Sequence, residues 1–156
     1  MINTLKPITN QPINVINDMI IYTDKISKIE YDAKSQNITY FEHGFANKNL
    51  LIAQFNSVLE FSNTNPVTSI ITDFRQLQGS FKNIFSYLNE EFYPALKAKG
   101  LKCQAFIVSE DIINNYLTNE LISGLLKKHQ VYAAKFSTTY AASKWISSIH
   151  DAKASA

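Results

Sequence analysis

The sequence predicts an α/β fold with a single mixed sheet of five strands. Three observations lead to this prediction. β-prone runs alternate with segments whose apolar residues recur at helical spacing. The connections between them are short and contain Asn, Pro and Gly. A chain of 156 residues, 46% of them hydrophobic, suffices for one packed domain. We expect that domain over residues 19–150, between a loosely ordered tail at 1–18 and a frayed tail at 151–156.

The first predicted element is a β-hairpin. A β-prone stretch over residues 20–31 is followed by a polar turn at 32–37 and a second strand at 38–42. Because the second strand then enters a series of parallel units, we expect the strand at about 24–31 to be the only antiparallel one.

Three further strands alternate with four helices after the hairpin, which gives the order ββαβαβαβα. The strands are expected at 67–74, 101–108 and 131–136, and the helices begin at Asn47, Ser80, Ser109 and Ser137 or Thr138. The second helix is expected to bend or end near Pro94. Short connections favour right-handed crossovers between sequential neighbours, so the helices should lie mainly on one face. The tail at 1–18 or a second subunit in a homodimer would then cover the other face.

The most informative stretch runs from Ser69 to Ser80. It contains Asp73 and Arg75, the only arginine of the chain, and it ends at a helix start. Residues two apart on an extended segment share a face, so these two side chains can pair with each other or contact an anion or a partner. Ser80 suits a helix cap or a phosphorylation site. With Ser109, which follows the next strand, these residues are the candidates for ligand or partner binding.

Other positions fit the same order of elements. Gly44 closes the second predicted strand, Gly100 precedes the fourth, and Trp145 lies in the last helix. Together with Asp73 and Arg75 they resemble, over residues 20–149, the STAS/SpoIIAA-like family of anti-sigma-factor antagonists and anion-transporter modules. The resemblance implies a regulatory protein–protein interaction. Its relation in fold to CRAL-TRIO lipid-binding domains implies, as the alternative, that the chain binds or senses a small apolar or lipid-like ligand.

The sequence departs from that family at one place. The antagonists carry an Asp-Ser-Ser-Gly segment whose serine is phosphorylated at a helix start. The corresponding loop here is Leu77-Gln78-Gly79-Ser80, in which only Ser80 can occupy a comparable position.

The aromatic residues in the second helix suit two roles, in the core or in the wall of a ligand cavity. Phe81, Phe85, Phe92 and Tyr93 recur at helical spacing, which is typical of core residues but also suits the wall of a lipid cavity.

Composition and motifs argue against several other functions. The net charge is only +2 and no arginine-rich stripe is present, so we expect no nucleic acid as partner. The three histidines have no ligand spacing, and Cys103 lies in an apolar run typical of a buried, inert thiol. No phosphate-binding glycine loop or nucleophile elbow is present, so we expect no metal, cofactor or catalytic residue; an enzyme is the second alternative. No stretch is apolar enough to span a membrane, and a cytoplasmic location is expected.

Overall fold

The computed structural model describes residues 18–155, which form one six-stranded mixed sheet in the order β1-β2-β3-β4-β5-β6. The strands are β1 Asp18–Thr23, β2 Ser27–Asp32, β3 Asn37–Phe45, β4 Ser69–Gln78, β5 Cys103–Ile107 and β6 Tyr132–Phe136. Strand β2 is antiparallel to both of its neighbours, whereas β3 to β6 are mutually parallel. The predicted consecutive order and the single reversed strand are confirmed.

The predicted number of five strands is wrong, because the β-prone stretch at 20–31 contains two strands. The chain reverses at Asp24, whose N–H donates to the carbonyl of Ser27 at 3.0 Å and whose carboxylate accepts the N–H of Ile26 at 2.8 Å. This turn lacks the Asn-Gly type of sequence that marks a hairpin. Residues 1–17 of the predicted tail lie outside the described residues, and Asp18 already belongs to β1.

Four helices complete the fold of the described chain. They are α1 Lys48–Phe61; α2, built from Lys82–Ile84, Phe85–Tyr87, Leu88–Phe92 and Tyr93–Ala98; α3 Ile112–Gly124, continued by the π turn Leu125–His129; and α4 Thr139–Ser155. The predicted cap of α1 is confirmed, since Oδ1 of Asn47 accepts the N–H of Leu50 at 3.0 Å. Helix α4 extends into the segment predicted as a frayed tail. None of the helices in residues 18–155 is both long and apolar enough to cross a membrane.

Helix α2 passes through Pro94 without ending there. Proline removes one helical N–H and its ring crowds the carbonyl of residue i−4. The π turn Leu88–Phe92 directly precedes the α-helical segment that contains Pro94, and the wider turn changes the hydrogen-bond register at this point. The perturbation predicted near Pro94 is therefore confirmed, and it takes the form of a π turn.

The helices lie on both faces of the sheet, three on one and one on the other. Helices α1 to α3 cover the larger core, which includes Ile38, Phe55, Ile70, Phe106 and Leu121. Helix α4 packs on the opposite face, where Ala142 and Ile146 contact a second cluster that includes Ile71, Cys103 and Ile107. From the sequence, the tail or a second subunit was expected to cover this face. Over β4 and β5, helix α4 covers it instead.

Burial accounts for the chemistry of the single cysteine. Cys103 is fully buried in the second cluster. Burial raises the pKa of its thiol to about 12, so the reactive thiolate is suppressed at neutral pH. The predicted inert thiol is confirmed.

A groove lies between α4 and the strands β1 to β3. Its volume is about 360 Å³, and Glu30, Phe41, Ser143 and His150 are among its lining residues. We call it the lateral groove.

Candidate functional site

Arg75 and Asp73 form a bidentate ion pair within β4, which continues past the predicted strand end at residue 74. The Nε–H of Arg75 donates to Oδ1 of Asp73 at 3.0 Å, and Nη2 donates to Oδ2 at 2.7 Å. The backbone N–H of Arg75 also donates to Oδ1 at 3.0 Å, so one carboxylate accepts three bonds from one residue. These side-chain hydrogen bonds raise the pKa of Arg75. The pair predicted from the two-residue spacing is present.

The ion pair lies where β4 extends past the end of β5. Asp73 is paired with Ile107, the last residue of β5, whereas β4 continues alongside β3 as far as Gln78. Arg75 therefore lies beyond the last β5 pair. Its side chain is 39% exposed, compared with 12% for Asp73.

The connections that leave β5 and β6 diverge at this edge. Strand β5 leads to α3 on one face of the sheet, and β6 leads to α4 on the other. In open α/β sheets, ligands bind in the crevice that such a divergence opens outside the carboxyl ends of the strands. The topology thus identifies the carboxyl ends of β5 and β6 as the place where this fold has room for a ligand.

A shallow depression of about 460 Å³ occupies that position, and we call it the carboxyl-edge depression. It is lined by Arg75, Val108, Ser109, Glu110, Lys135, Phe136 and Ser137. Val108 and Phe136 contribute apolar surface, and the N–H of Val108 donates to the carbonyl of Phe136 at 3.0 Å. Arg75 and Lys135 supply two positive charges, and Glu110 supplies one negative charge. The arginine fork gives the depression a contact for an anionic group beside its apolar surface.

Two of the four predicted site residues line the depression. Arg75 and Ser109 belong to it, and Asp73 supports Arg75. Ser80 does not line it; this serine is exposed after β4, and its Oγ accepts the N–H of Lys82 at 3.2 Å, in the first residue of the 3₁₀ turn. The N-cap position of that turn is Phe81, which makes no side-chain cap bond, so Ser80 lies one residue before it; its bond nevertheless satisfies an N–H of the first turn.

The prediction that Ser109 caps α3 is wrong. Asp111 is the N-cap, and its Oδ1 accepts the N–H of Asn114 at 2.8 Å. Ser109 lies two residues too early in the chain, and its Oγ accepts the N–H of Asp111 at only 3.4 Å. A carboxylate is also the stronger acceptor at a helix N-terminus.

Lys135, Phe136 and Ser137 were not predicted as site residues. From the sequence, the first two were placed in the last strand and Ser137 at the start of the helix that follows. Their position at the carboxyl end of a parallel strand adjacent to β5 is a signal that could have identified them.

An exposed apolar surface adjoins the depression on α3. Ile112, Ile113 and Tyr116 are 83%, 54% and 60% exposed. The amide Nδ2 of Asn115 donates to the carbonyl of Ser109 at 2.6 Å, and its Oδ1 accepts a bond from Lys135 at 3.0 Å. These two bonds join the first turns of α3 to the rim of the depression. We call Ile112, Ile113 and Tyr116 the α3 apolar patch.

The aromatic residues of α2 are core residues rather than the wall of a large cavity. Phe81, Phe92 and Tyr93 are buried, and Phe85 packs against the same core while partly exposed. The cavity between them and the sheet has a volume of about 10 Å³, roughly the space that one water molecule needs.

Within residues 18–155, no group of three or more His, Cys, Asp or Glu side chains is arranged to hold a metal ion. Comparison of the chain with protein-family models, with curated proteins and with solved structures gave no match.

Proposed function

We propose that this chain is a non-enzymatic, STAS-like regulatory domain that binds a protein partner at the carboxyl-edge depression. The observation that carries the proposal is the junction of the α3 apolar patch with a depression that contains a positioned arginine. Exposed clusters of large apolar residues mark interaction surfaces on soluble proteins. The chain order of elements from β2 onward, ββαβαβαβα, supports the proposed resemblance to that family.

Arg75 is suited to contact a partner because Asp73 already fixes its orientation. The two bonds to Asp73 use two of the five guanidinium N–H groups, and the others can donate to a carboxylate or phosphate. A side chain held in its binding geometry loses less conformational entropy on association than a free one. The α3 apolar patch would then supply contact area, and Arg75 would make the interaction specific.

The alternative is a carrier or sensor of a small apolar or lipid-like ligand. Such sites are typically cavities of about 300–1,000 Å³ that enclose most of the ligand. The aromatic interior offers about 10 Å³, and the carboxyl-edge depression is shallow and open. These dimensions favour the partner-binding proposal.

Quantitative affinity purification from cells tests the proposal. The parent, Arg75→Ala and Tyr116→Asp are compared with Ile20→Asp, which changes an exposed apolar residue on β1 at the opposite edge of the sheet. We expect a protein that the parent and Ile20→Asp retain, and that both site variants lose by about tenfold or more. Circular dichroism confirms that each variant is folded. If all four chains retain the same proteins in equal amounts, the depression is not the binding surface.

A further inference from the structure

A buried polar cluster joins β2, β3 and α1. It consists of Ser27, Glu42 and Gln54, which are 1%, 2% and 0% exposed. Oγ of Ser27 donates to Oε1 of Gln54 at 2.8 Å, and Nε2 of Gln54 donates to Oε1 of Glu42 at 3.1 Å. Ser27 and Glu42 are also directly opposite each other in the β2–β3 pairing. One glutamine thus connects α1 to both strands.

The strand alternation places Glu42 inside the molecule. Ile38, Tyr40 and Glu42 follow each other at every second position of β3, and all three are buried on the face that α1 covers. Oε2 of Glu42 is buried and has no hydrogen-bond partner among the described residues. A buried carboxylate needs several donors to replace its hydration, and Gln54 supplies one.

The surroundings favour the neutral acid. Burial raises the pKa of Glu42 to about 8, the bond from Gln54 opposes this shift, and the nearby carboxylate of Asp24 adds to it. Tyr22 on β1 and Tyr40 on the same strand also interact with Glu42. None of these three groups is a cation, so they offer no counter-charge to an ionised Glu42.

We propose that Glu42 is a pH switch that, as a neutral acid, keeps the β1–β2 hairpin closed on α1 and, when ionised, opens that hairpin. An ionised Glu42 must be hydrated, and its directly opposed residue, Ser27, begins β2 immediately after the hairpin turn. Ile26, in that turn, is buried, and its carbonyl accepts the N–H of His43 at 2.8 Å. Water reaches Glu42 from this side only if Ile26 and Ser27 move.

The hairpin is a suitable element for such a change because one of its strands lies at the edge of the sheet. Strand β1 pairs only with β2, so release of the hairpin from β3 breaks only the β2–β3 ladder and leaves the parallel strands intact. The hairpin turn is further held by Asp24, whose Oδ2 accepts a bond from the hydroxyl of Tyr22 at 3.0 Å. A second negative charge at Glu42 would repel Asp24 and weaken this turn.

Two NMR measurements on the full chain test the switch. The side-chain carboxyl ¹³C shift of Glu42 is followed from pH 5 to 10, and we expect its midpoint above pH 7. Amide hydrogen exchange, corrected for its intrinsic pH dependence, gives the protection of residues 20–29. We expect this protection to fall about tenfold per pH unit as the pH rises towards that midpoint, because each unit raises tenfold the ratio of ionised to neutral Glu42 in the open state, and to level off above the midpoint, where Glu42 is already ionised. Amides of β5 should stay better protected than those of the hairpin at every pH, because they exchange only when the parallel strands also separate.

Glu42→Gln should keep the hairpin protection independent of pH, whereas Glu60→Gln, which changes an exposed carboxylate on α1, should behave like the parent. A Glu42 midpoint below pH 6, or an equal loss of protection in Glu42→Gln, would overturn the proposal. If Glu42→Gln does not fold, the parent still decides, since the fall in hairpin protection must level off at the carboxyl midpoint.

Discussion

Arg75 and Glu42 lie at nearly the same level of the sheet, on neighbouring strands, and have opposite surroundings. Arg75 pairs with a carboxylate two residues away on its own strand and remains partly exposed. Glu42 points to the buried face and has one hydrogen-bond donor. The first arrangement positions a charge for contact with another molecule, and the second suppresses a charge inside the fold.

Substitution of Arg75 separates a structural role from a binding role. Because the side chain is partly exposed, Arg75→Ala should lower the free energy of unfolding by at most about 1 kcal/mol. Arg75→Lys keeps the charge but loses the planar fork, so partner affinity should fall for both variants. Urea unfolding and a binding titration with the purified partner measure the two effects. A lysine variant that binds like the parent would show that the fork has no role in recognition.

Ser80 is expected to stabilise the start of α2 through its bond to the N–H of Lys82. Ser80→Ala should lower the free energy of unfolding by about 0.5–2 kcal/mol, and Ser80→Asp should be nearly neutral, because aspartate is an equally good cap. Chemical denaturation measures both. The phosphorylation hypothesis gains support instead if Ser80→Ala leaves stability unchanged but abolishes partner recruitment in cells.

At the scale of the elements, the start of α3 offers a matched pair of variants. Asp111→Ala removes the N-cap and should cost about 1 kcal/mol of unfolding free energy, measured by urea denaturation. Ser109→Ala, two residues earlier, loses only a long hydrogen bond and should change stability much less. Equal losses from the two substitutions would contradict the assignment of Asp111 as the cap.

The elements that could be predicted from the sequence are those bounded by a change of period or by a strong turn signal. Helix α1, with Asn47 before it, is such a case. The hairpin turn at Asp24 could not be found, because β-branched and aromatic residues continue on both sides of it. Glu42 was treated as the end of a strand, although its spacing from Ile38 and Tyr40 placed it on the buried face. The charged side chain of Glu42, rather than its position in the strand alternation, decided that interpretation.

The candidate site was predictable only where its residues are close in sequence. The Asp73–Arg75 pair follows from a spacing of two residues on one strand. The contribution of Lys135 and Phe136 depends on the opposite faces taken by α3 and α4. Within residues 18–155 no strand follows β6, so no crossover rule decides which face α4 covers. That choice depends on the packing of Ala142 and Ile146.

For the molecule as a whole, the lateral groove bears on the role of residues 1–17. This segment precedes Asp18, which lines the groove, and Met19 and Ile20 beside it are about half exposed. If the segment covers this face, its deletion should lower the melting temperature and increase the binding of a dye that detects exposed apolar surface. Differential scanning fluorimetry measures both. If neither changes, a subunit interface becomes the candidate cover, and sedimentation should then show a dimer.

The consecutive strand order also affects how the chain folds. Every pair of neighbours in the sheet is also consecutive along the chain, so each strand pair forms across a hairpin loop or a single helical crossover, at a modest cost in closure entropy. During synthesis, each β-α unit can join the sheet as it emerges, beginning from the N-terminus. Helix α4 comes last, and Ile71 and Ile107 remain uncovered until it docks. A chain interrupted before α4 would therefore expose an apolar face on an otherwise assembled sheet. Docking of α4 is the step that buries this aggregation-prone surface.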